Sequence, residues 1–212
     1  MKKLLTFIFV LAMAQYSFAQ DMSGTAHDFT GATWNATAGE MCNVCHTPHN
    51  SNGAAGAPLW NHTSTTATYT LYTSNSLDAA TGQPAGTSKL CLSCHDGTIG
   101  LDEFGGATPA SPVLMTGNAL FGTDLSNDHP ISFTYNTALA TADGELVDPV
   151  LASSSGLGTT IEADMLFGTA GAKTMECASC HDVHNAIDTA PGQGLLLKSN
   201  AASALCLTCH AK

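Results

Sequence analysis

Every cysteine of this chain lies in one repeated arrangement. The four units are Cys42-Asn-Val-Cys45-His46, Cys91-Leu-Ser-Cys94-His95, Cys177-Ala-Ser-Cys180-His181 and Cys206-Leu-Thr-Cys209-His210, with no cysteine left over. Eight cysteines in an exported chain suggest four disulfides, but that reading gives no reason for a shared two-residue spacing or for a histidine after each pair. Paired Cys-x-x-Cys units also make tetrahedral zinc sites, yet zinc leaves the four histidines unexplained. A thioredoxin-like redox site needs one such motif in a βαβ setting, not four in a glycine-rich chain. Haem c uses every element: two thiols form thioethers to the porphyrin and the next histidine turns under the iron. The expectation is four covalent haem c groups on Cys42, Cys45, Cys91, Cys94, Cys177, Cys180, Cys206 and Cys209, with His46, His95, His181 and His210 as proximal iron ligands.

Five further histidines are present: His27, His49, His62, His129 and His184. Four irons need at most four distal ligands, so one is spare if every iron is held by two histidines. An internal repeat sorts them. Cys42-x-x-Cys45-His46-Thr-Pro-His49-Asn50 parallels Cys177-x-x-Cys180-His181-Asp-Val-His184-Asn185, and Leu90-Cys91-Leu92-x-Cys94-His95 parallels Leu205-Cys206-Leu207-x-Cys209-His210. Each copy has one upstream histidine, His27 or His129. The distal set is therefore His27, His49, His129 and His184. His62 is either a packing residue beside Trp60 or an alternative distal ligand, in which case His27 becomes the odd one out.

His49 and His184 each follow a proximal histidine by three residues. On a locally helical segment such side chains are neighbours on one face, ~5–6 Å apart at Cβ, and cannot grip opposite faces of one porphyrin. Each must serve a different haem from its neighbour. Methionine is the other common sixth ligand. Met41 and Met175 stand just before haem motifs and are expected to pack against porphyrin. Iron closed by two histidines has no vacant position for a substrate, which favours electron transfer over catalysis; there is no catalytic residue to name.

The elements positioning these groups must come from an unusual chain. Its 212 residues are rich in Ala, Gly, Thr and Ser, only 11% are charged, and there is no arginine. Such a sequence builds a weak apolar core by itself, and four flat apolar porphyrins supply the missing buried surface. All seventeen acidic residues follow residue 19, against Lys89, Lys173, Lys198 and Lys212. That balance argues against nucleic acid, whose phosphates it would repel. Residues 1–19 read as an export signal: Lys2 and Lys3, an apolar run from Leu4 to Met13, then Ser17-Phe18-Ala19. The run falls short of the ~20 residues of a membrane span, so the mature form is expected without one.

Residues 20–212 read as one tetrahaem domain of two duplicated two-haem modules, roughly 20–100 and 125–212. Gly105 to Ser126 reads as loop, Ile131 to Tyr135 and Thr63 to Tyr72 as short strands, and Asp143-Gly144 and Asp148-Pro149 as turns. Short helices are expected around the haem motifs and few elsewhere. Asn35-Ala-Thr37 and Asn61-His-Thr63 match the glycosylation pattern and read as chance in a threonine-rich chain.

The segments CNVCHTPHN (42–50), APLWNH (57–62), CLSCHDGT (91–98), DHPISF (128–133) and CASCHDVHN (177–185) resemble the doubled Cys-x-x-Cys-His family, and within it the tetrahaem cytochromes of metal-reducing bacteria. The resemblance implies a multihaem cytochrome c fold, mostly irregular with a few short helices and minimal strand, organised around its haems. It also implies secretion to the cell surface or beyond, with the periplasm as the alternative. Implied partners are further copies of the chain in a haem-stacked filament, other redox cytochromes or outer-membrane conduits, and external acceptors such as metal oxides. On this resemblance His27 is the residue that reaches a neighbouring subunit's haem.

Overall fold

A computed structural model describes residues 22–37, 39–185 and 194–211; the expected export signal lies outside them. Most of the described chain is turn and loop. The regular elements are helices α1 (Gly86–His95), α2 (Thr137–Asp143), α3 (Ile161–Asp164) and α4 (Cys206–Cys209), three short 3₁₀ turns, and two two-residue strands, β1 (Phe133–Thr134) and β2 (Thr174–Met175). The strands pair antiparallel, Phe133 opposite Met175. Among the described residues no helix is long and apolar enough to cross a membrane.

Helices form where the motifs lie. α1 ends on His95 and α4 contains the whole Cys206–Cys209 pair; Cys177–Ser179 is a 3₁₀ turn, and at the first motif the amide of His46 donates to the Cys42 carbonyl at 2.8 Å. One turn of helix brings the two thiols of a Cys-x-x-Cys unit to one side. α2 was not anticipated as a helix. The Asn136 side chain accepts from the Leu139 amide at its start, and Gly144, at φ +75°, closes its end, so the Asp143-Gly144 turn is a helix stop. The expected strand at Ile131 to Tyr135 shrinks to β1. Thr63 to Tyr72 is extended but forms no ladder: Thr65 and Tyr69 turn inward while Thr66, Thr68 and Thr70 face out, and Thr70 makes only an isolated bridge to Asp124.

Two apolar clusters hold the chain. The larger gathers Phe133, Tyr135, Ala140, Ile161, Met165, Leu166, Met175, Leu205 and Cys209; the smaller has Tyr69, Leu92 and Leu125. Beside the smaller lies a buried polar knot. Asp96 accepts from Tyr69 Oη at 2.5 Å, from Thr65 Oγ1 at 2.7 Å, and from the Thr98 amide and hydroxyl at 2.7 and 2.8 Å. Asn35 and Asn61 of the glycosylation patterns are buried, and their side-chain amides donate to backbone carbonyls of Phe29 and Asn43. Both are structural residues.

Candidate haem-binding sites

The repeat seen in sequence returns as repeated backbone geometry. The Thr47 amide donates to the Leu59 carbonyl at 2.9 Å and that of Asp182 to Leu195 at 2.7 Å; the Asn61 amide donates to Cys45 and that of Leu197 to Cys180. Antiparallel bridges pair His46 with Trp60 and His181 with Leu196. Leu59 and Leu195 both adopt left-handed backbone, at φ +54° and +53°, as do Asn50 and Asn185, at +57° and +53°. A left-handed leucine costs about 1–2 kcal/mol, so its occurrence at both equivalent turns marks a geometry the site requires.

That geometry orients the imidazoles. His46 Nδ1 donates to the Pro58 carbonyl at 2.7 Å, and His181 Nδ1 to the Gly194 carbonyl at 2.6 Å. His95 Nδ1 donates to the Ala119 carbonyl at 2.7 Å and His129 Nδ1 to the Pro130 carbonyl at 2.8 Å. A carbonyl only accepts, so the proton sits on Nδ1 and Nε2 keeps its lone pair for a metal. Sequence reasoning does not find these carbonyls, because a backbone acceptor carries no side-chain signature.

The imidazoles then meet in pairs. Ring centroids of His46 and His184 lie 6.1 Å apart with planes inclined by 19°; those of His27 and His95 lie 6.1 Å apart at 75°; those of His129 and His210 lie 6.4 Å apart at 77°. Two metal–nitrogen bonds of about 2 Å fill most of such a gap, and the half-widths of the two rings account for the remainder. Burial, and after it His95, His181 and His184, pushes His27 down to about 4, so the ring is neutral; its Nδ1 is buried with no hydrogen-bond partner. The protein around His129 likewise lowers its pKa, against the opposing Pro130 hydrogen bond. Among the described residues no three His, Cys, Asp or Glu side chains converge on one point; six of the eight candidate ligands fall into three facing pairs, and His49 and His181 are not brought together in the same way.

None of the eight cysteines is paired in a disulfide. Burial holds Cys45 up at about 11 and Cys94 and Cys209 at about 12. The Cys91 thiol is raised first by its hydrogen bond to Cys177, which is correspondingly lowered, so the second and third motifs abut. The Cys177 amide donates to Ser88 Oγ of α1 at 2.9 Å. Near the fourth motif a cleft of about 290 Å³ is walled by Phe133, Tyr135 and Met175 together with His129, Cys209 and His210. Its apolar sides and facing imidazoles fit a porphyrin, and Met175 stands there as a packing residue.

His62 stands apart from these pairs. It is fully buried, with Nδ1 2.8 Å from the Thr63 carbonyl, Nε2 3.0 Å from the Gly100 carbonyl, and the Cys94 thiol at 3.5 Å. Its equivalent in the second half is Lys198, whose Nζ donates to the Ser155 carbonyl and to Thr208 Oγ1 at 2.8 and 3.0 Å. His49 is exposed on the turn after His46.

Residues 170–212 match the family described by the doubled CXXCH motif. The match covers the third and fourth units and points to covalent haem c, to a multihaem c-type cytochrome and to an electron-transfer role. Among curated proteins, none matches the sequence.

Proposed function

We propose that this chain is a tetrahaem electron-transfer cytochrome in which each iron is closed by two histidines. The carrying observation is the three imidazole pairs at a two-bond metal gap, each containing one histidine of a Cys-x-x-Cys-His unit, with the repeat extending the pattern to the fourth unit, that of His181. Haem c, when bound, supplies reversible one-electron chemistry. The chain's residues do the rest. The cysteine pairs anchor the porphyrin edge, the Pro58, Ala119 and Gly194 carbonyls fix the proximal rings, and the second imidazole occupies the position a substrate would need. A reductase is the competing reading, and an open iron is what it requires. Pyridine haemochrome and intact mass are expected to give four haems per chain, and the resting ferric spectrum to be low-spin throughout. A high-spin fraction of one haem in four would reverse the choice in favour of catalysis.

The extension to a secreted conductive filament delivering electrons to external acceptors rests on the sequence resemblance to OmcE, an extracellular tetrahaem filament cytochrome. Electron microscopy of material shed by an expressing cell tests it: filaments are expected, and their absence at high expression leaves the periplasmic shuttle.

A further inference from the structure

We infer that each half of the chain shelters one positive charge beside its second Cys-x-x-Cys-His unit, His62 in the first half and Lys198 in the second, and that this charge raises the reduction potential of the haem held there. The inference rests on the haem reading above and extends it to residues that bind no iron. The two stand at one place in the repeat. Each directly follows the residue, Asn61 or Leu197, whose amide donates to the second cysteine of the earlier unit. Each then reaches the later unit of its own half. Nε2 of His62 lies 3.5 Å from the Cys94 sulfur, and Nζ of Lys198 donates at 3.0 Å to Oγ1 of Thr208, between Cys206 and Cys209. Burial raises the Cys209 thiol, while Tyr135 and the Lys198 charge pull it back.

The surroundings of His62 make it a cation. Its ring is fully buried, and its two nitrogens meet the carbonyls of Thr63 and Gly100 at 2.8 and 3.0 Å. A carbonyl only accepts, and a neutral imidazole has one N–H to give. The Cys94 thiol could donate to Nε2, but haem attachment leaves a thioether sulfur with no hydrogen. Both ring nitrogens must then donate. Lys198 carries its charge without such help, and the backbone makes room for it: a Cβ on Gly156, at φ +67°, would come within 2.8 Å of Nζ. An imidazole and an ammonium on a flexible stem differ in shape; what they share is donors and positive charge. Neither makes an ion pair among the described residues. Glu103 and Asp164 instead bind the Gly100 amide and the Ser155 hydroxyl, bracing the residues whose carbonyls hold the cation. Reduction adds an electron to iron, so a nearby cation favours the ferrous form, and more strongly where water is excluded. The charge therefore biases an electron within each half toward the second haem of that half.

The test is a redox titration of the full-length, fully loaded protein. Lys198→Gln, which keeps a donor and loses the charge, is expected to move one of the four one-electron steps to lower potential, and Lys198→Arg to leave it near its wild-type position. His62→Gln is expected to lower a different step. In the fully reduced protein, whose low-spin ferrous haems are diamagnetic, nitrogen NMR is expected to find both ring nitrogens of His62 protonated at neutral pH. A Lys198→Gln titration that superimposes on wild type would overturn the inference, as would a Lys198→Arg protein shifted as far as Lys198→Gln, or a His62 ring with one bare nitrogen. Lys198 is only half-buried, so its variants decide the matter even where His62→Gln does not fold. A chain carrying no covalent haem gives no titration at all and defeats the cytochrome reading itself, a distinct failure.

Discussion

The first and second halves of the chain carry one backbone device on two different supports. In both, the residue before a left-handed leucine aims its carbonyl at the Nδ1 of a histidine, and the amide two residues after that leucine donates to the carbonyl of the motif's second cysteine. The surroundings then diverge. The second half rests on a nine-residue apolar cluster sealed by Ile161 and Met165. The first half places only Tyr69 and Leu92 in the smaller cluster, joined there by Leu125 from the start of the second, and relies on Asp96 with its ring of hydroxyl donors. Trp60 and His62 occupy the places of Leu196 and Lys198. What the halves share is what a haem demands of the chain; what they do not share is how each half stays folded without a large core.

The contrast is most easily broken in the larger cluster. Ile161→Ala is expected to lower the stability of the protein by about 3 kcal/mol, because the fully buried site cannot collapse around the cavity. Leu125→Ala, in the smaller cluster, is expected to cost about 2 kcal/mol. Urea unfolding checks both, and equal losses would erase the difference in support. Next comes a pair of hydroxyl deletions. Tyr69→Phe removes a donor to a carboxylate and is expected to cost about 2 kcal/mol. Tyr135→Phe removes a donor to the Val147 carbonyl, 2.6 Å away, and is expected to cost about 1 kcal/mol. The reverse order would mean that the first half does not depend on its polar knot.

The same knot predicts a pH response. Burial pushes the Asp96 carboxyl up, but the hydrogen bonds from Thr65, Tyr69 and Thr98 outweigh it and hold the group below the ordinary carboxylate value. A group depressed in this way stabilises the folded state above a pH of about 4 and loses that contribution as pH falls through its folded value. Unfolding midpoints recorded from about pH 5 to about pH 3 are expected to fall more gently for Asp96→Asn than for wild type. Asp164 is also held low, by Ser155 and Thr159, but water reaches it, so Asp164→Asn is expected to flatten the acid limb less. The smallest effect is at the shared turns. Leu59→Gly or Leu195→Gly relieves left-handed strain and is expected to raise stability by at most about 1 kcal/mol. A loss at either position would show that the leucine side chain, not the turn, is what the haem site needs.

Much of the chemistry could be read from residue spacing because Cys-x-x-Cys-His is a local instruction carried out within one helical turn. The loop-dominated fold was equally legible, since a chain so rich in Gly, Thr and Ser has few alternatives. The helix at Thr137–Asp143 had its signals in plain sight, Asn136 before it and Gly144 after it, but Asp143-Gly144 also fits a turn and the segment between lacks an apolar stripe. The Asp96 knot was hidden for another reason. Its donors, Thr65 and Tyr69, come from a threonine-rich stretch that resembles a strand, and only tertiary folding turns those hydroxyls onto a carboxylate far along the chain. The opposition of His46 and His184 belongs to the same class: no local rule brings them together.

The His46/His184 opposition also sets an order in time. A ribosome delivers His46 early, whereas His184 lies more than half the chain further on. His27 and His95, by contrast, are both present once the first half has been made. A haem attached first at Cys42 and Cys45 would therefore wait for its second imidazole until most of the protein existed, while the haem attached after it could already be closed. On the tetrahaem reading proposed above, the machinery that attaches haem must protect that first iron through the interval, and a chain truncated before His184 would leave it open to water and oxygen.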